Sequence, residues 1–257
     1  MPMPKNSKIH RPSQSSRPPR ILVYARPKKG KTLFTATAGQ GRVLILDPEE
    51  GTDWMKSPKL DPHVWPIDKW EDMIEAVNFV TKSNHDYDWV APDGLTRMTQ
   101  MALRWVLRQN AMREIDQRPG MVMLKDRGRA GELVNALLYK LHACRDMGVI
   151  FTSQERVVSD EESGDDDDES EGESKLRYVP DLPKGVRAGV TSLVDVIGRL
   201  YIVPDPDNDG KKERRLWVDP HPSYDTGYRS SFVLPAYIRK PTVPRLVQAL
   251  EKGRIEK

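Results

Sequence analysis

Short, continuous apolar runs alternate along this chain with longer segments in which apolar residues recur every three or four positions. The apolar runs predict buried strands at residues 21–25, 41–47, 88–93 and 148–153. The segments between them predict helices at residues 33–38, 69–81, 95–114 and 132–145. Strands that are apolar throughout are typical of a parallel sheet with both faces covered. The alternation therefore predicts an α/β fold with a mostly parallel central sheet and helices on both faces.

The last third of the chain has a different pattern. Apolar-rich strands at 195–203 and 214–219 flank a turn signal that ends at Gly210, which predicts a C-terminal antiparallel hairpin. A short closing helix is expected at 243–252. We predict a disordered basic arm at 1–19, a core at 20–240 with an acidic disordered loop at 159–175, and a C-terminal helix and tail at 241–257.

The chemistry begins between the first strand and the first helix, where residues 25–32 read Ala-Arg-Pro-Lys-Lys-Gly-Lys-Thr. Strand, small-residue loop, Gly-Lys-Thr and helix form the layout of a phosphate-binding P-loop. Lys31 is expected to reach the β- and γ-phosphates, and Thr32 to offer its hydroxyl to Mg²⁺. The complete nucleotide-binding set expected from the loop is Ala25, Pro27, Lys28, Lys29, Gly30, Lys31, Thr32 and Leu33.

Ala25 is the departure from the usual pattern, which begins with glycine. Alanine accepts most backbone conformations but disfavours a positive φ. We therefore expect the loop to tolerate Ala25 only if its backbone stays out of the left-handed region.

Carboxylates follow the next two strands. Asp47, Glu49, Glu50 and Asp53 come after the second strand, and Asp93 ends the third. An apolar strand that ends in Asp is what a Walker B magnesium ligand requires. Pro92 precedes this Asp, and proline is tolerated in such a strand only at its last residues. The fourth strand ends at Gln154, a neutral side chain placed to contact a γ-phosphate.

Composition indicates the cellular compartment and the class of binding partner. No apolar run approaches the ~18–20 residues of a membrane span, and the N-terminus has no apolar signal segment. A single cysteine, Cys144, suits a reducing cytoplasm.

The net charge is +3, but residues 160–173 contain ten acids and no base, so the rest carries 41 bases and 28 acids, or +13. A body this basic favours a nucleic acid partner, with ordinary solubilising charge as the alternative.

A basic segment at 116–131 is the candidate nucleic acid contact. It holds the apolar run Met-Val-Met-Leu at 121–124 with bases on both sides: Arg118, Lys125, Arg127 and Arg129. Such a loop suits contact with phosphates and insertion of a side chain between bases. The alternative is a surface connection with one buried anchor.

Taken together, these motifs resemble the RecA-like P-loop ATPase core, and specifically phage-encoded RecA-like proteins of single-strand annealing and recombination. The resemblance rests on Asp-x-Glu-x-x-x-Asp at 47–53 and on Phe-Thr-Ser-Gln at 151–154. It implies that Glu49, with Glu50 as a close rival, orients the attacking water and that Asp53 lies near the adenine. It also implies that Gln154 couples the γ-phosphate to DNA binding. The acidic tract falls where the family's second DNA-binding loop belongs, which is a departure.

The resemblance further implies a function and partners. We expect a Mg²⁺-dependent ATPase, with DNA-stimulated hydrolysis, that acts on single-stranded DNA in the cytoplasm, which is that of a bacterial host if the protein is phage-encoded. Self-association into a ring or filament is expected, with a neighbour's basic residue completing the site; the candidates are Lys184, Arg187 and Arg229. A single-strand DNA-binding protein is a further candidate partner, and no membrane is expected.

Three alternatives stay open. One is an ATP-regulated single-strand-binding scaffold with little hydrolysis. Another is a DNA-processing helicase or nuclease, in which Asp47, Glu49, Glu50 and Asp53 bind a second metal. The third is a small-substrate P-loop kinase, which the basic body and the lack of an evident lid disfavour.

Overall fold

The computed structural model of the chain describes residues 17–112, 121–159 and 176–254. The strands in these ranges are β1 Arg20–Ala25, β2 Val43–Asp47, β3 His63–Pro66, β4 Trp89–Pro92, β5 Gly148–Ser159, β6 Leu176–Pro180, β7 Val196–Pro204, β8 Lys212–Trp217, β9 Gly227–Tyr228 and β10 Tyr237–Arg239. The helices are α1 Lys31–Ala36, α2 Trp70–Lys82, α3 Leu95–Met112, α4 Leu124–Ala143, α5 Lys184–Leu193 and α6 Val243–Lys252.

All of these strands belong to one mixed sheet, whose main path runs in the order β10-β8-β7-β1-β5-β4-β2-β3. From β7 to β3 every neighbouring pair is parallel. β8 and β10 extend the sheet in antiparallel fashion, and β6 pairs antiparallel with the outer half of β5. The predicted α/β class, the mostly parallel sheet and the β7–β8 hairpin are therefore confirmed.

Two hydrophobic clusters cover the two faces of the sheet. Strand β1 contributes side chains to both clusters. Leu22 points into the cluster under α2–α5, whereas Ile21 and Val23 point into the cluster under α1 and α6. This double burial explains why the parallel strands read as continuous apolar runs. Among the helices of the described ranges, none is long and apolar enough to cross a bilayer.

Helix α4 begins eight residues earlier than the sequence pattern predicted. It starts at Leu124 rather than at residue 132, because Asp126 caps it. The Asp126 carboxylate accepts hydrogen bonds from the Met123 backbone N–H at 2.9 Å and from the Asn110 side chain at 2.9 Å. Lys125, Arg127 and Arg129 therefore lie on the first turns of a helix and not in a loop.

Smaller predictions also need correction. The helix predicted at 95–114 is described only as far as Met112, which is 71% exposed at the end of α3. Ser159 is the last residue of β5 and not part of the acidic loop, whose residues 160–175 lie outside the described ranges, as do the arm at 1–16 and the tail at 255–257. Helix α5, which carries Lys184 and Arg187, had no prediction. The short strands β3 and β10 had no prediction.

Candidate nucleotide site

A cavity of about 540 Å³ opens at the carboxyl edge of the sheet, beside the ends of β1, β2 and β4 and the middle of β5. β5 does not end at Gln154, as predicted, but continues to Ser159. The sheet register brings the motifs together there. Ala25 lies beside Gln154, and Asp93 lies beside Thr152. The carboxyl edge of a parallel sheet is where α/β proteins bind ligands. The side chains and backbone that line the cavity are Pro27, Lys28, Gly30, Lys31, Thr32, Leu33, Glu49, Gly51, Trp54, Met55, Asp93, Thr152, Gln154 and Arg214.

The loop between β1 and α1 keeps Ala25 in ordinary strand conformation. Its left-handed residues are Lys28, with φ 60°, and Gly30, with φ 97°. Ala25 itself is fully buried against the cluster under α1 and α6. The residue that replaces the usual glycine therefore sits in a position that does not require glycine.

Lys31 projects into the cavity from the first turn of α1. Its Nζ donates to the Ala25 carbonyl at 3.3 Å and to Gln154 Oε1 at 3.3 Å. Partial burial lowers the pKa of this ammonium, against the opposing effect of Asp93 and Glu49. A half-buried cation held by two long, neutral hydrogen bonds is well placed to bind a phosphate.

Thr32 and Thr152 hold the carboxylate of Asp93 from two sides. Thr32 Oγ1 donates to Asp93 Oδ2 at 2.5 Å, and Thr152 Oγ1 donates to Oδ1 at 2.6 Å. Burial raises the pKa of Asp93, and these two hydrogen bonds oppose the rise. A hydroxyl and a carboxylate beside a phosphate loop match the donor set of Mg²⁺, which takes one or two carboxylates and completes its shell with phosphates and water.

The turn after β2 directs Glu49, and not Glu50, to the cavity. Asp47 organises this turn: its buried carboxylate accepts the backbone N–H groups of Glu49, Gly51 and Thr52 at 2.9–3.2 Å, and the Thr52 hydroxyl at 2.7 Å. Both glutamates are exposed, but Glu49 lines the cavity and Glu50, with φ 55°, does not. Desolvation and the nearby charge of Asp93 raise the pKa of Glu49.

Asp53 is exposed and does not line the cavity, but its neighbour Trp54 does. The Trp54 side chain is 90% exposed, so its indole is free to stack on a flat ring. No three of the acidic, histidine or cysteine residues in ranges 17–112, 121–159 and 176–254 are close enough to hold a metal ion by themselves.

Gln154 connects the cavity to the outer half of β5. Its backbone N–H donates to Thr96 Oγ1 at 3.0 Å, and its side-chain oxygen accepts from Lys31. The next residue, Glu155, pairs with Arg199 at 2.7 Å and with Arg26 of the phosphate loop at 3.3 Å. The loop and the β5–β6 hairpin are thus tied together beside the cavity.

A family model described as an AAA domain matches residues 17–230. The chain belongs to this AAA domain family. The match covers the phosphate loop, the acids after β2 and β4, and the β7–β8 hairpin, and it supports a P-loop ATPase core that binds nucleotide. No curated protein matches the chain significantly.

Sequence reasoning missed one charged residue of this AAA domain's cavity. Arg214 comes from β8, about 180 residues after the phosphate loop, and its Nε donates to the Lys29 carbonyl at 3.1 Å. Lys29 itself does not line the cavity. The signal available in the sequence was the alternation within β8, where Leu216 is buried and Arg214 shares its face.

Of the residues expected to bind DNA, the described ones, Lys125, Arg127 and Arg129, do not line the nucleotide cavity. Arg118 is outside the described ranges. Arg127 lines a separate cavity of about 310 Å³ with Arg156, between α3, α4 and the β5–β6 hairpin. The run before α4 is solvent-exposed, from 37% at Val122 to 87% at Leu124. Basic side chains and exposed apolar side chains therefore occur together at the start of α4.

The inter-subunit candidates do not line their own chain's nucleotide cavity. Lys184 and Arg187 lie on α5 beside a cavity of about 230 Å³ that Arg177 also lines. Arg229 donates from Nη2 to the Ser192 carbonyl at 3.0 Å, at the C-terminal end of α5.

Proposed function

We propose that this AAA domain hydrolyses Mg·ATP in the cavity beside Lys31 and acts on single-stranded DNA in strand annealing or recombination. The observation that carries the ATPase part is the meeting of five side chains with complementary chemistry around one cavity. They are Lys31, Thr32, Glu49, Asp93 and Gln154.

Each side chain has a role in this proposal. Lys31 and the loop amides bind the β- and γ-phosphates. Thr32 and Asp93 hold Mg²⁺, which when bound offsets the charge that develops on the phosphate oxygens. Glu49 accepts a hydrogen bond from the attacking water and orients it, and Gln154 contacts the γ-phosphate. Trp54 offers a stacking surface for the adenine, in place of the role expected for Asp53.

The DNA part rests on charge and on one surface. The body outside 160–173 carries +13, and the start of α4 presents Lys125, Arg127 and Arg129 beside the exposed run 121–124. Cations bind the phosphate backbone, and exposed apolar side chains can pack against unstacked bases. We also propose self-association into a ring or filament, with Lys184, Arg187 or Arg229 reaching a neighbour's nucleotide, and a single-strand DNA-binding protein as a further partner.

The decisive experiment measures ATP hydrolysis with and without single-stranded DNA across a salt series. We expect stimulation by DNA that falls as salt rises, because phosphate contacts release counterions. Lys31→Ala should abolish nucleotide binding, and Glu49→Gln should keep binding but lose hydrolysis. If the rate of ATP hydrolysis is the same with and without DNA at every salt concentration, the DNA part of the proposal is refuted, whereas the ATPase part is not.

The scaffold alternative and this proposal predict different results for the Glu49→Gln variant. If the protein only anneals or protects strands under ATP control, Glu49→Gln will leave annealing of complementary oligonucleotides unchanged. If hydrolysis drives the reaction, the same variant will bind ATP and DNA but stall after one round.

A further inference from the structure

The alternation of β8 places one arginine over the phosphate loop. Leu216 is fully buried in the cluster that α1 and α6 cover. Arg214 lies two residues earlier and therefore on the same face of the sheet. That face leads to α1 and to the loop before it, because β8 pairs with β7 and β7 pairs with β1.

Arg214 lies against the part of the loop that surrounds the phosphates. Its Nε donates to the Lys29 carbonyl at 3.1 Å. A Cβ atom built on Gly30 would lie only 2.5 Å from Nε and 3.1 Å from Cζ. The guanidinium thus occupies the space that a side chain at position 30 would need, and it borders the same cavity as Lys31.

The charge of Arg214 is not neutralised as its neighbours' charges are. Arg215 and Arg239 both pair with Glu213, at 2.7 and 2.9 Å. Across the described part of the chain, Arg214 makes no ion pair, and Nε is its one hydrogen-bonding nitrogen. The two Nη groups stay available in a planar fork whose geometry matches a phosphate.

We propose that Arg214 binds a phosphate group of the nucleotide held by its own chain's loop, through its Nη groups, while Nε stays on the Lys29 carbonyl. This inference rests on the proposed nucleotide site. It assigns the β7–β8 hairpin a direct part in that site. The same chain would then supply two cations to the phosphates, Lys31 from one side of the sheet's edge and Arg214 from the hairpin.

Two other roles are possible for Arg214, and they predict different results. A purely structural arginine braces the loop through the Lys29 carbonyl and contributes nothing to the ligand. An arginine that acts across a subunit interface contributes only to a neighbour's nucleotide.

Calorimetric titration with Mg²⁺ and a non-hydrolysable ATP analogue separates the first two roles. Arg214→Ala should raise Kd at least about tenfold, the usual worth of a charge-assisted hydrogen bond, and should reduce the dependence of Kd on salt. Lys212→Ala is the matched control, because it removes an exposed cation from the same face of the same strand. It should leave Kd within about twofold of the parent value.

Thermal unfolding of the same proteins tests whether Arg214 only supports the loop. If Arg214 only supports the loop, Arg214→Ala will lower the nucleotide-free Tm while the analogue still raises Tm by the parent amount. If Arg214 binds the nucleotide, the rise caused by the analogue will shrink. Arg214→Gln, which keeps a donor for the Lys29 carbonyl but no charge, should behave like Arg214→Ala in binding and serves if the alanine variant is unstable.

Mixing two impaired variants at an ATP concentration below the Kd of Arg214→Ala tests whether the contact lies within one chain. Lys31→Ala chains mixed with Arg214→Ala chains should hydrolyse ATP no faster than the two variants do separately, since every site then lacks one of the two cations. Recovery of activity would place Arg214 across an interface and overturn the proposal. Normal analogue binding by Lys31→Ala would instead overturn the proposed nucleotide site, whereas lost binding by Lys31→Ala with normal binding by Arg214→Ala would overturn only the role of Arg214.

Discussion

Gly94 follows the metal-ligand candidate Asp93 and leaves room for Glu49. Its φ is 124°, and a Cβ atom on it would lie 3.0 Å from Glu49 Oε1. The backbone conformation therefore favours glycine at this position, and a side chain here would press on the Glu49 carboxylate. Gly128 in α4 is the opposite case, because a Cβ there would meet nothing within 4 Å.

We predict that Gly94→Ala lowers both stability and turnover. The strained backbone should cost on the order of 1–3 kcal/mol in unfolding free energy, and displacement of Glu49 should reduce kcat. Chemical denaturation and steady-state ATPase assays measure the two effects. Gly128→Ala is the control, and it should be neutral or stabilise by up to about 1 kcal/mol. Normal turnover in Gly94→Ala would argue against Glu49 as the residue that orients water.

Asp47 acts on the site through the turn that carries Glu49. In Asp47→Asn one oxygen becomes an NH₂ group, so at least one of its hydrogen bonds to the turn is lost. We expect kcat to fall at least about tenfold, because small misplacements of a catalytic group are costly. Nucleotide affinity should stay close to that of the parent, since Asp47 does not line the cavity. A loss of affinity with unchanged kcat would contradict this division of roles.

At the scale of elements, a buried carboxylate helps to hold β8 and β10 together. Glu213 is buried in β8 and accepts hydrogen bonds from Arg239 of β10 at 2.9 and 3.0 Å and from Arg215 at 2.7 Å. The hydrogen bond from Arg239, more than any other interaction, lowers the pKa of Glu213. A lowered pKa means that the folded state favours the ionised carboxylate.

The direction of this pKa shift determines how the stability of the β8–β10 edge depends on pH. The stabilisation by Glu213 is present above the pKa of an unfolded glutamate, about 4.3, and is lost as the pH falls through the lower folded pKa. Glu213→Gln should therefore unfold at a lower Tm than the parent protein at pH 7. The difference should shrink below about pH 4. A Tm difference that is constant from pH 7 to pH 3 would show that the charge of Glu213 is not its source.

The start of α4 shows why some elements escape prediction from sequence. Asp126 reads as one more charge in a basic segment, and only its contacts with Met123 and Asn110 show that it begins a helix. Asn110 lies on α3, 16 residues away, so the capping partner is a tertiary contact. The strands β1, β2, β4 and β5 could be predicted, because a strand that is buried on both faces is a continuous run of apolar residues in the sequence.

At the scale of the molecule, strand order decides which parts of the site the sequence reveals. Lys31, Asp93 and Gln154 all follow predicted parallel strands, whose carboxyl ends meet at one edge, so their convergence could be expected. Arg214 could not be assigned, because its approach to Gly30 depends on β8 and β7 lying beside β1 in the sheet. Nothing local in the sequence near Arg214 specifies that neighbour.

Charge is also a property of the whole molecule. Replacing the ten acids at 160–173 with their amides would change the net charge from +3 to +13. We expect tighter binding of single-stranded DNA, because removing ten negative charges raises the positive potential that attracts phosphates. The gain should be largest at low salt and shrink as the Debye length falls below about 10 Å. Fluorescence anisotropy with a labelled oligonucleotide measures it.

A shuffled tract with the same ten acids is the control for that variant, and it should bind DNA as the parent does. Equal affinity of the amide variant and the parent at every salt concentration would show that the tract does not compete with DNA.

β5 is one uninterrupted strand of twelve residues, and Gln154 lies at its midpoint. Residues before Gln154 are held between β1 and β4, and residues after it form the ladder with β6. One strand therefore joins the cavity to the β5–β6 hairpin without a break. Because binding free energies are reciprocal, any partner that grips the hairpin must change nucleotide affinity by the same factor by which nucleotide changes the affinity for that partner.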